Sequence, residues 1–462
     1  MEYISTRGQI KAVGFIDAVL MGLADDGGLL VPKQIPSVSA QTLKQWEQLT
    51  YSELALEIFS LYIDGEIPRD DLKQLVDDSY ATFRDPEVTP VRRVHDQMHV
   101  LELFHGPTFA FKDIALQFLG NLYSYISRKN KSIIHILGAT SGDTGASAIE
   151  GVRGKEGIRI CILHPHQKVS KVQELQMTTV DDANVLNLSV HGTFDDCQRI
   201  IKELFADVDF KHRYHLRAIN SINIARILAQ TVYYFYAYFK LVRSGEQRQI
   251  NFSVPTGNFG DIFAGYLGKK MGLPINRLIL ATNENNILER FVNEGIYEPG
   301  QFRGTYSPSM DIQVASNFER YLYYLYGEDA SAISTLMNQF KTTGKIIIPS
   351  DKQRMVQGDF SAYGVKNQQS LDTISDYYAR TNYLLDPHTA CGVAAADQLA
   401  QEDEVTVTLA TAHPAKFDEA IQLCNIKQTF PAPIEALFNK KQIQTIIGGT
   451  NEEITEQLVK FY

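Results

Sequence analysis

Short apolar runs that alternate with helical segments constrain the fold of this chain more than any other feature of its sequence. Residues 133–137 and 159–163 have the length and residue types of strands, and each leads through a loop into a helical pattern. The pattern recurs further along, at residues 185–190, 216–219, 250–254, 278–281 and 405–409. Because parallel strands need such crossovers, the sequence predicts an α/β fold with parallel sheets that helices cover on both faces.

The first part of the chain has a different pattern. After a turn-rich segment at residues 22–32, apolar residues at helical spacing predict helices over 39–48, 51–62 and 70–80. A chain of 462 residues exceeds the size of one ordinary hydrophobic core. We therefore expect a mainly helical N-terminal domain over residues 1–95, followed by an α/β region over residues 96–462.

Composition excludes several classes of function. The formal net charge of −10, with no basic run to offset it, argues against nucleic-acid binding. The four cysteines are far apart and form no CxxC pair, which suits a reducing compartment and gives no sign of a metal site. No stretch approaches the roughly 20 apolar residues of a membrane span, and no basic-then-apolar leader opens the sequence. We expect a cytoplasmic protein without a membrane partner.

A lysine among aromatic and small residues is the first candidate for chemistry. Lys112 lies in the segment LELFHGPTFAFKD, where Thr108 could cap a turn and an amphipathic helix is predicted to begin. The helix dipole and the apolar neighbours both disfavour the ammonium form, and a neutral lysine can attack a carbonyl carbon. The alternative is a lysine that extends its charge from the helix start into water. This segment alone favours the alternative.

Two glycine-rich loops lie between a predicted strand and a predicted helix. One is TSGDTG at residues 140–145, and the other is PTGNFGD at residues 255–261. Glycine lets the backbone turn tightly, and the unpaired amides at a helix start attract an anion. Neither loop matches the P-loop or the GxGxxG pattern, and such loops are also ordinary α/β connections. Together with Lys112, however, they indicate a ligand with more than one anionic group.

Two further segments carry polar side chains at the ends of predicted strands. NSINIAR, at residues 220–226, places amide and hydroxyl donors at a helix start and an arginine one turn later, which suits a phosphate. A capped helix with a solvated arginine is equally compatible with this spacing. Thr411 follows a late predicted strand, and ligands of such sheets bind at the carboxyl ends of strands. His413 is better explained by a turn than by catalysis.

Eight motifs run in one order across nearly the whole chain: GLADDGGLLVP, LELFHGPTFAFKD, GATSGDTGASAIEG, QMTT, NSINIAR, PTGNFGDIFAGY, SPSMDIQVASNFER and ATAHPAKF. With them the sequence resembles the threonine synthase family of fold-type II pyridoxal-phosphate enzymes. The resemblance implies a carbon–oxygen lyase acting on phosphates, which converts O-phospho-L-homoserine and water to L-threonine and phosphate with pyridoxal 5′-phosphate as cofactor. It also implies two subdomains within residues 96–462, with the active site between them.

The resemblance assigns roles residue by residue. Lys112 resembles the lysine that binds the cofactor covalently, and Thr411 the hydroxyl residue that faces the pyridine nitrogen. The residues that resemble the cradle of the cofactor phosphate are Gly257, Asn258, Phe259 and Gly260. Those that resemble the site of the substrate carboxylate are Ser141, Gly142, Asp143 and Thr144. Those that resemble the site of the substrate phosphate are Asn220, Ser221 and Arg226. Many relatives in the wider superfamily carry asparagine at the position of Asp143, which puts a contact to the ring hydroxyl in doubt.

Two other functions remain open at this stage. One is a β-eliminating dehydratase of the same fold, although the N-terminal region and the NSINIAR donors would then have no use. The other is a non-catalytic protein that binds a phosphate ligand, against which the intact Lys112 argues. The sequence leaves a monomer and a homodimer equally possible.

Overall fold

The computed structural model describes residues 1–95, 97–242, 248–401 and 403–462. They form two compact units, and both are discontinuous along the chain. The first unit comprises Met1–Lys73, Arg84–His105 and Ser221–Lys427, and the second comprises Gln74–Phe83, Gly106–Asn220 and Gln428–Tyr462. The division predicted at residue 95, with two subdomains after it, stays a prediction.

The secondary structure elements are numbered in chain order. The strands are β1 (Tyr3–Ser5), β2 (Leu30–Pro32), β3 (Val91–Arg93), β4 (Met98–Glu102), β5 (Ile134–Ala139), β6 (Ile158–Pro165), β7 (Val185–Val190), β8 (Leu216–Ala218), β9 (Ile250–Pro255), β10 (Ile275–Thr282), β11 (Ile296–Tyr297), β12 (Ile346–Ile347), β13 (Phe360–Gly364), β14 (Thr406–Ala410) and β15 (Thr445–Ile447). The helices are α1 (Phe15–Met21), α2 (Ala40–Trp46), α3 (Tyr51–Ile63), α4 (Arg69–Tyr80), α5 (Lys112–Asn130), α6 (Asp143–Val152), α7 (Lys171–Thr178), α8 (Phe194–Ala206), α9 (Val208–Arg213), α10 (Ile224–Leu241), α11 (Gly260–Met271), α12 (Ile287–Glu294), α13 (Phe318–Leu325), α14 (Ala330–Thr343), α15 (Ser350–Asp359), α16 (Asn367–Thr381), α17 (Pro387–Leu399), α18 (Asp418–Leu423), α19 (Ala432–Glu435) and α20 (Asn451–Phe461). Short 3₁₀ helices lie at Pro308–Met310, Pro414–Phe417 and Ala436–Asn439.

The first unit is built on a six-stranded sheet in the order β13-β10-β9-β14-β4-β3. Its strands are parallel except β3, which pairs antiparallel with β4 at one edge. In β9 every residue is buried, as expected for a parallel strand covered on both faces. Because β9 and β14 are parallel neighbours, the loop after Pro255 and the residue after Ala410 lie at the same edge of the sheet.

The N-terminal part of the first unit contains the predicted helices at α2 and α3, where Thr50 and Glu53 form a capping box. The predicted turn-rich segment at residues 22–32 is wrong in one respect, because its last residues form strand β2. This strand pairs antiparallel with β1, and Leu30 and Val31 are completely buried. The strand depends on a partner near the start of the chain, which the local pattern could not indicate.

The second unit is built on a parallel five-stranded sheet in the order β15-β7-β6-β5-β8. Helices α5 and α6 pack closely because glycines meet at the contact. A Cβ atom on Gly120 would lie 2.0 Å from the carbonyl oxygen of Gly151, and one on Gly151 would lie 2.5 Å from that of Leu116. This approach holds the two helices, which begin at Lys112 and Asp143, side by side.

The predicted α/β class is confirmed by these two sheets and by the helices that cover them. Within the described ranges, every helix is too short or too polar to span a bilayer.

Candidate active site

Lys112 is the first residue of α5, where the sequence predicts a helix start. Its Nζ atom lies 3.5 Å from Oδ2 of Asp143 and 5.1 Å from the centre of the Phe111 ring, and its side chain is 11% exposed. A nearby carboxylate favours the ammonium form, whereas burial and the helix start favour the neutral amine. The neutral nucleophile inferred from the sequence therefore stays a prediction.

The turn before Lys112 is fixed by Thr108 and Asp113. The amide and the hydroxyl of Thr108 each donate a hydrogen bond of 2.7 Å to the carboxylate of Asp113. Phe111 precedes the helix and makes no side-chain cap to it, and the cap of the preceding turn by Thr108 stays a prediction. Gly106 is needed here, since a Cβ atom would lie 2.5 Å from Cβ of Asp113.

The TSGDTG loop of the second unit is closed by Thr140. Its Oγ1 accepts hydrogen bonds from the amides of Gly142, at 3.0 Å, and Gly145, at 2.9 Å. Gly142 precedes α6 with φ at 152°, and a Cβ atom there would overlap the Gln173 side chain. Gln173 Nε2 donates to Oδ1 of Asp143 at 2.7 Å. The carboxylate of Asp143 thus lies between Gln173 and Lys112.

The four loop residues predicted to bind the substrate carboxylate are placed differently. Ser141 is exposed and Thr144 is partly exposed, whereas Gly142 and Asp143 are buried. The contact between Asp143 and Lys112 was not predicted, and nothing in a separation of 31 residues indicates it. The same holds for Gln173, for which the sequence pattern indicates no role.

In the first unit, the loop between β9 and α11 contains the predicted phosphate cradle. Phe259 precedes α11 with φ at 64°, and its ring packs 5.5 Å from Phe318 and 5.6 Å from Phe360. A Cβ atom on Gly257 would lie 2.7 Å from the carbonyl oxygen of Ser309, so glycine is required there. Among the described residues, the amides from Gly257 to Phe259 have no hydrogen-bond acceptor.

The segment 220–226 is joined to this loop through Ser316. The hydroxyls of Ser221 and Ser316 are 2.8 Å apart, and Ser316 Oγ also donates to Oδ1 of Asn258 at 3.2 Å. Asn317 continues the connection, because its Nδ2 donates to the carbonyl oxygens of Ser221 and Asn258. Ser316 and Asn317 belong to the motif SPSMDIQVASNFER, but their residue types and spacing indicate no role for either one.

Arg226 is the third residue of α10, whose start is capped by Asn223. Only 3% of Arg226 is exposed, and its Nε and Nη1 atoms have no hydrogen-bond partner within the described residues. Burial lowers the pKa of the guanidinium to about 10, so Arg226 remains charged at neutral pH. The solvated arginine considered as an alternative is therefore wrong. A buried charge with two unpaired donors is costly, and such a group is suited to binding an anion.

The remaining candidates are placed as follows. Thr411 directly follows β14 and is buried. It shares the sheet edge of Gly257. His413 Nδ1 accepts from the amide of Ala415, which agrees with a histidine held in a turn, and burial lowers its pKa to about 4. Asn220 ends the stretch Gly106–Asn220 of the second unit. Its Oδ1 atom is buried and has no hydrogen-bond partner among the described residues.

Three family models match the chain. Residues 2–80 match the threonine synthase N terminus, residues 89–411 match the pyridoxal-phosphate-dependent enzymes, and residues 389–459 match the threonine synthase C-terminal region. The chain belongs to the threonine synthase family.

Individual threonine synthases are similar to this chain over nearly their full length. The chain is 43% identical to a threonine synthase of Schizosaccharomyces pombe, with 100% of this chain and 98% of the relative covered. It is 45% identical to a threonine synthase of Pseudomonas aeruginosa, with 97% and 96% covered. The crystal structure of a PLP-bound threonine synthase from Brucella melitensis superposes with a TM-score of 0.96 at 43% identity, covering 100% and 99% of the two chains. The yeast threonine synthase structure gives 0.95 at 42%, covering 99% and 98%.

These matches confirm the predicted family, the fold-type II class and the enzyme class, which is a pyridoxal-phosphate-dependent lyase. The residues of this chain also fit the cofactor. Unpaired amides at a glycine-rich helix start suit its phosphate, and Lys112 offers the amine that its aldehyde requires. The roles of the individual residues stay predictions.

Proposed function

We propose that this chain is a threonine synthase, which converts O-phospho-L-homoserine and water to L-threonine and phosphate. The observation that carries the proposal is the buried guanidinium of Arg226 with its unpaired Nε and Nη1 atoms. Such a group suits a dianionic phosphate that is buried during the reaction. The amides after Gly257 supply a second anion site on another loop. Two separate sites agree with a cofactor and a substrate that each carry a phosphate.

Lys112 would hold the cofactor covalently. Bound pyridoxal phosphate supplies an electron sink that stabilises negative charge on the attached amino acid. The amine of Lys112, freed when the substrate takes its place, would remove the proton from the substrate Cα. After handing that proton on, it would remove one from Cβ as the phosphate leaves Cγ. Asp143 Oδ2, at 3.5 Å, favours the ammonium form of Lys112 after each proton is taken up.

The other assignments follow the predicted roles. Gly257, Asn258, Phe259 and Gly260 bind the cofactor phosphate through their amides, and Thr411 faces the pyridine nitrogen. Asn220, Ser221 and Arg226 bind the substrate phosphate. Ser141, Gly142, Asp143 and Thr144 receive the substrate carboxylate, and Asp143 does so through its backbone amide because its carboxylate faces Lys112 and Gln173.

The two alternative functions fit less well. A dehydratase acting on a substrate without phosphate would leave the buried charge of Arg226 uncompensated throughout its cycle. A non-catalytic phosphate-binding protein would not need a nearly buried lysine beside a carboxylate. We also propose a cytoplasmic enzyme, in agreement with its separate free cysteines, which acts as a monomer or homodimer.

Two measurements test the function. Phosphate release from O-phospho-L-homoserine should occur one for one with threonine formation, and O-acetyl-homoserine should be a poor substrate. Borohydride reduction of the cofactor-loaded protein, followed by peptide mapping, should place the label on Lys112. Release of 2-oxobutyrate instead of threonine, or a label on another lysine, would refute the corresponding part of the proposal.

A further inference from the structure

Arg320 is completely buried, and three of its nitrogen atoms donate to uncharged oxygens. Nε donates to the carbonyl oxygen of Leu30 at 3.0 Å, Nη1 to Oδ1 of Asn317 at 2.5 Å, and Nη2 to the carbonyl oxygen of Ile222 at 2.6 Å. Burial lowers its pKa to about 9. A buried charge is costly, so its presence needs a reason. The planar guanidinium of Arg320 binds three acceptors at once and thereby fixes their positions relative to one another.

Ile222 lies within the segment 220–226, between Ser221 and Arg226. The same segment is held a second time, because Nδ2 of Asn223 donates to the carbonyl oxygen of Val19 at 2.8 Å. Arg320 and Asn223 thus connect the segment to two carbonyl groups of the N-terminal region. Strand β2, which contains Leu30, is therefore connected through Arg320 to the residues just before α10.

Asn317 connects the same segment to the loop before α11. Its Nδ2 donates to the carbonyl oxygens of Ser221, at 3.2 Å, and Asn258, at 3.1 Å, and its amide donates to Asn258 as well, at 3.1 Å. A Cβ atom on Gly260 would lie 3.2 Å from this Nδ2. One completely buried asparagine, oriented by Arg320, therefore holds both loops.

We propose that Asn317 and Arg320 are positioning residues that set the substrate-phosphate segment 221–226 at a fixed distance from the cofactor-phosphate loop 257–260. They act through Arg226, whose position at the start of α10 follows from the carbonyl groups they hold. The identity of the phosphate ligand rests on the proposed function. The N-terminal region would then contribute to substrate specificity, because the carbonyl oxygen of Leu30 helps to position Arg320.

The first test is Arg320→Lys, which keeps a buried charge but cannot reach three acceptors. We expect KM for O-phospho-L-homoserine and the inhibition constant of inorganic phosphate to rise at least tenfold, with normal cofactor content. Arg7→Gln is the matched control. It removes the ion pair between Arg7 and Glu319, the residue next to Arg320, without touching either loop. Its kinetic constants should stay within twofold, whatever its unfolding temperature.

The second variant is Asn317→Ser, which removes the amide bridge and leaves a smaller polar side chain. Because Asn317 holds both loops, this variant should weaken cofactor retention as well as phosphate affinity, whereas Arg320→Lys should weaken only the latter. Both effects are read by dialysis against cofactor-free buffer and by calorimetric titration with inorganic phosphate. This variant also tests the proposal if Arg320→Lys fails to fold.

The deciding experiment combines Arg320→Lys with Arg226→Met. If Arg320 acts through Arg226, adding Arg320→Lys to the Arg226→Met variant should change its affinity for inorganic phosphate less than twofold. An equal loss in both backgrounds, or phosphate affinity and KM within twofold of wild type in folded Arg320→Lys and Asn317→Ser, would overturn the proposal. If the wild type binds phosphate but makes no threonine, the proposed function fails, and the titrations still decide the positioning role.

Discussion

Replacement of Arg226 by methionine tests whether the charge of this residue binds a ligand or stabilises the fold. Methionine is uncharged, flexible and suits a buried site, although its side chain is shorter than that of arginine. Burial lowers the pKa of Arg226 to about 10. Since each tenfold change in proton affinity is worth about 1.4 kcal/mol, the buried charge costs the ligand-free fold on the order of 3 kcal/mol. This folded-state pKa lies below that of the unfolded chain, so the cost is fully present at neutral pH and decreases only above about pH 10.

Arg226→Met should therefore be more stable than the wild type without ligand, by up to about 3 kcal/mol. Loss of one partner of a buried charged hydrogen bond costs about 2–5 kcal/mol in binding. KM for O-phospho-L-homoserine should accordingly rise from roughly 30-fold to thousands of fold. Denaturant unfolding and steady-state kinetics measure the two effects, and Arg354→Met on α15, which replaces an exposed arginine, is the control.

Arg226→Met should thus raise the free energy of unfolding without ligand and weaken the binding of phosphate. At the same concentration, inorganic phosphate should stabilise the wild type against unfolding much more than it stabilises Arg226→Met. A variant that is less stable without ligand, yet binds phosphate like the wild type, would show that Arg226 has a structural role. Loss of cofactor with unchanged substrate kinetics after reconstitution would instead place Arg226 at the cofactor phosphate.

Three further substitutions test the other assignments. Lys112→Ala should abolish threonine formation and the borohydride-dependent label, because the covalent anchor and the proton carrier are lost together; measurable turnover would contradict this. Gly257→Ala should lower cofactor affinity at least tenfold by dialysis, since its Cβ atom would lie 2.7 Å from the carbonyl oxygen of Ser309, whereas Gly304→Ala, with nothing within 4 Å, should not. Thr411→Asp should hold the pyridine nitrogen protonated and increase pyridoxamine phosphate formed per threonine; an unchanged ratio in the loaded variant would leave Thr411 a packing role.

The sequence could predict the features that depend on neighbouring residues. Parallel strands such as β9 are continuous apolar runs, and the helix start at Lys112 follows a glycine and a proline. The two glycine-rich loops were recognisable because their residues must adopt tight turns in any context. Thr411 follows the same logic, since the end of a parallel strand can be read from its apolar run.

Contacts across long separations could not be predicted in this way. Strand β2 forms only because β1 offers a partner, and Asp143 meets Lys112 only because glycines bring α5 and α6 together. The partners of Arg320 are carbonyl oxygens, which every residue has, so no residue type in the sequence indicates them. Their positions follow from the fold as a whole.

Arg226 and Arg320 show why the chemical role of an arginine cannot be read from its local sequence. Each is the third residue of a helix, and each is buried. Three donors of Arg320 are used by the protein, whereas two donors of Arg226 have no acceptor within the described residues. Burial destabilises the fold at both arginines, and protein oxygens offset this cost at Arg320 but not at the two unpaired donors of Arg226. Because Arg320 helps to fix the segment that carries Arg226, the uncompensated charge cannot relax toward water, and its donors remain available for a phosphate.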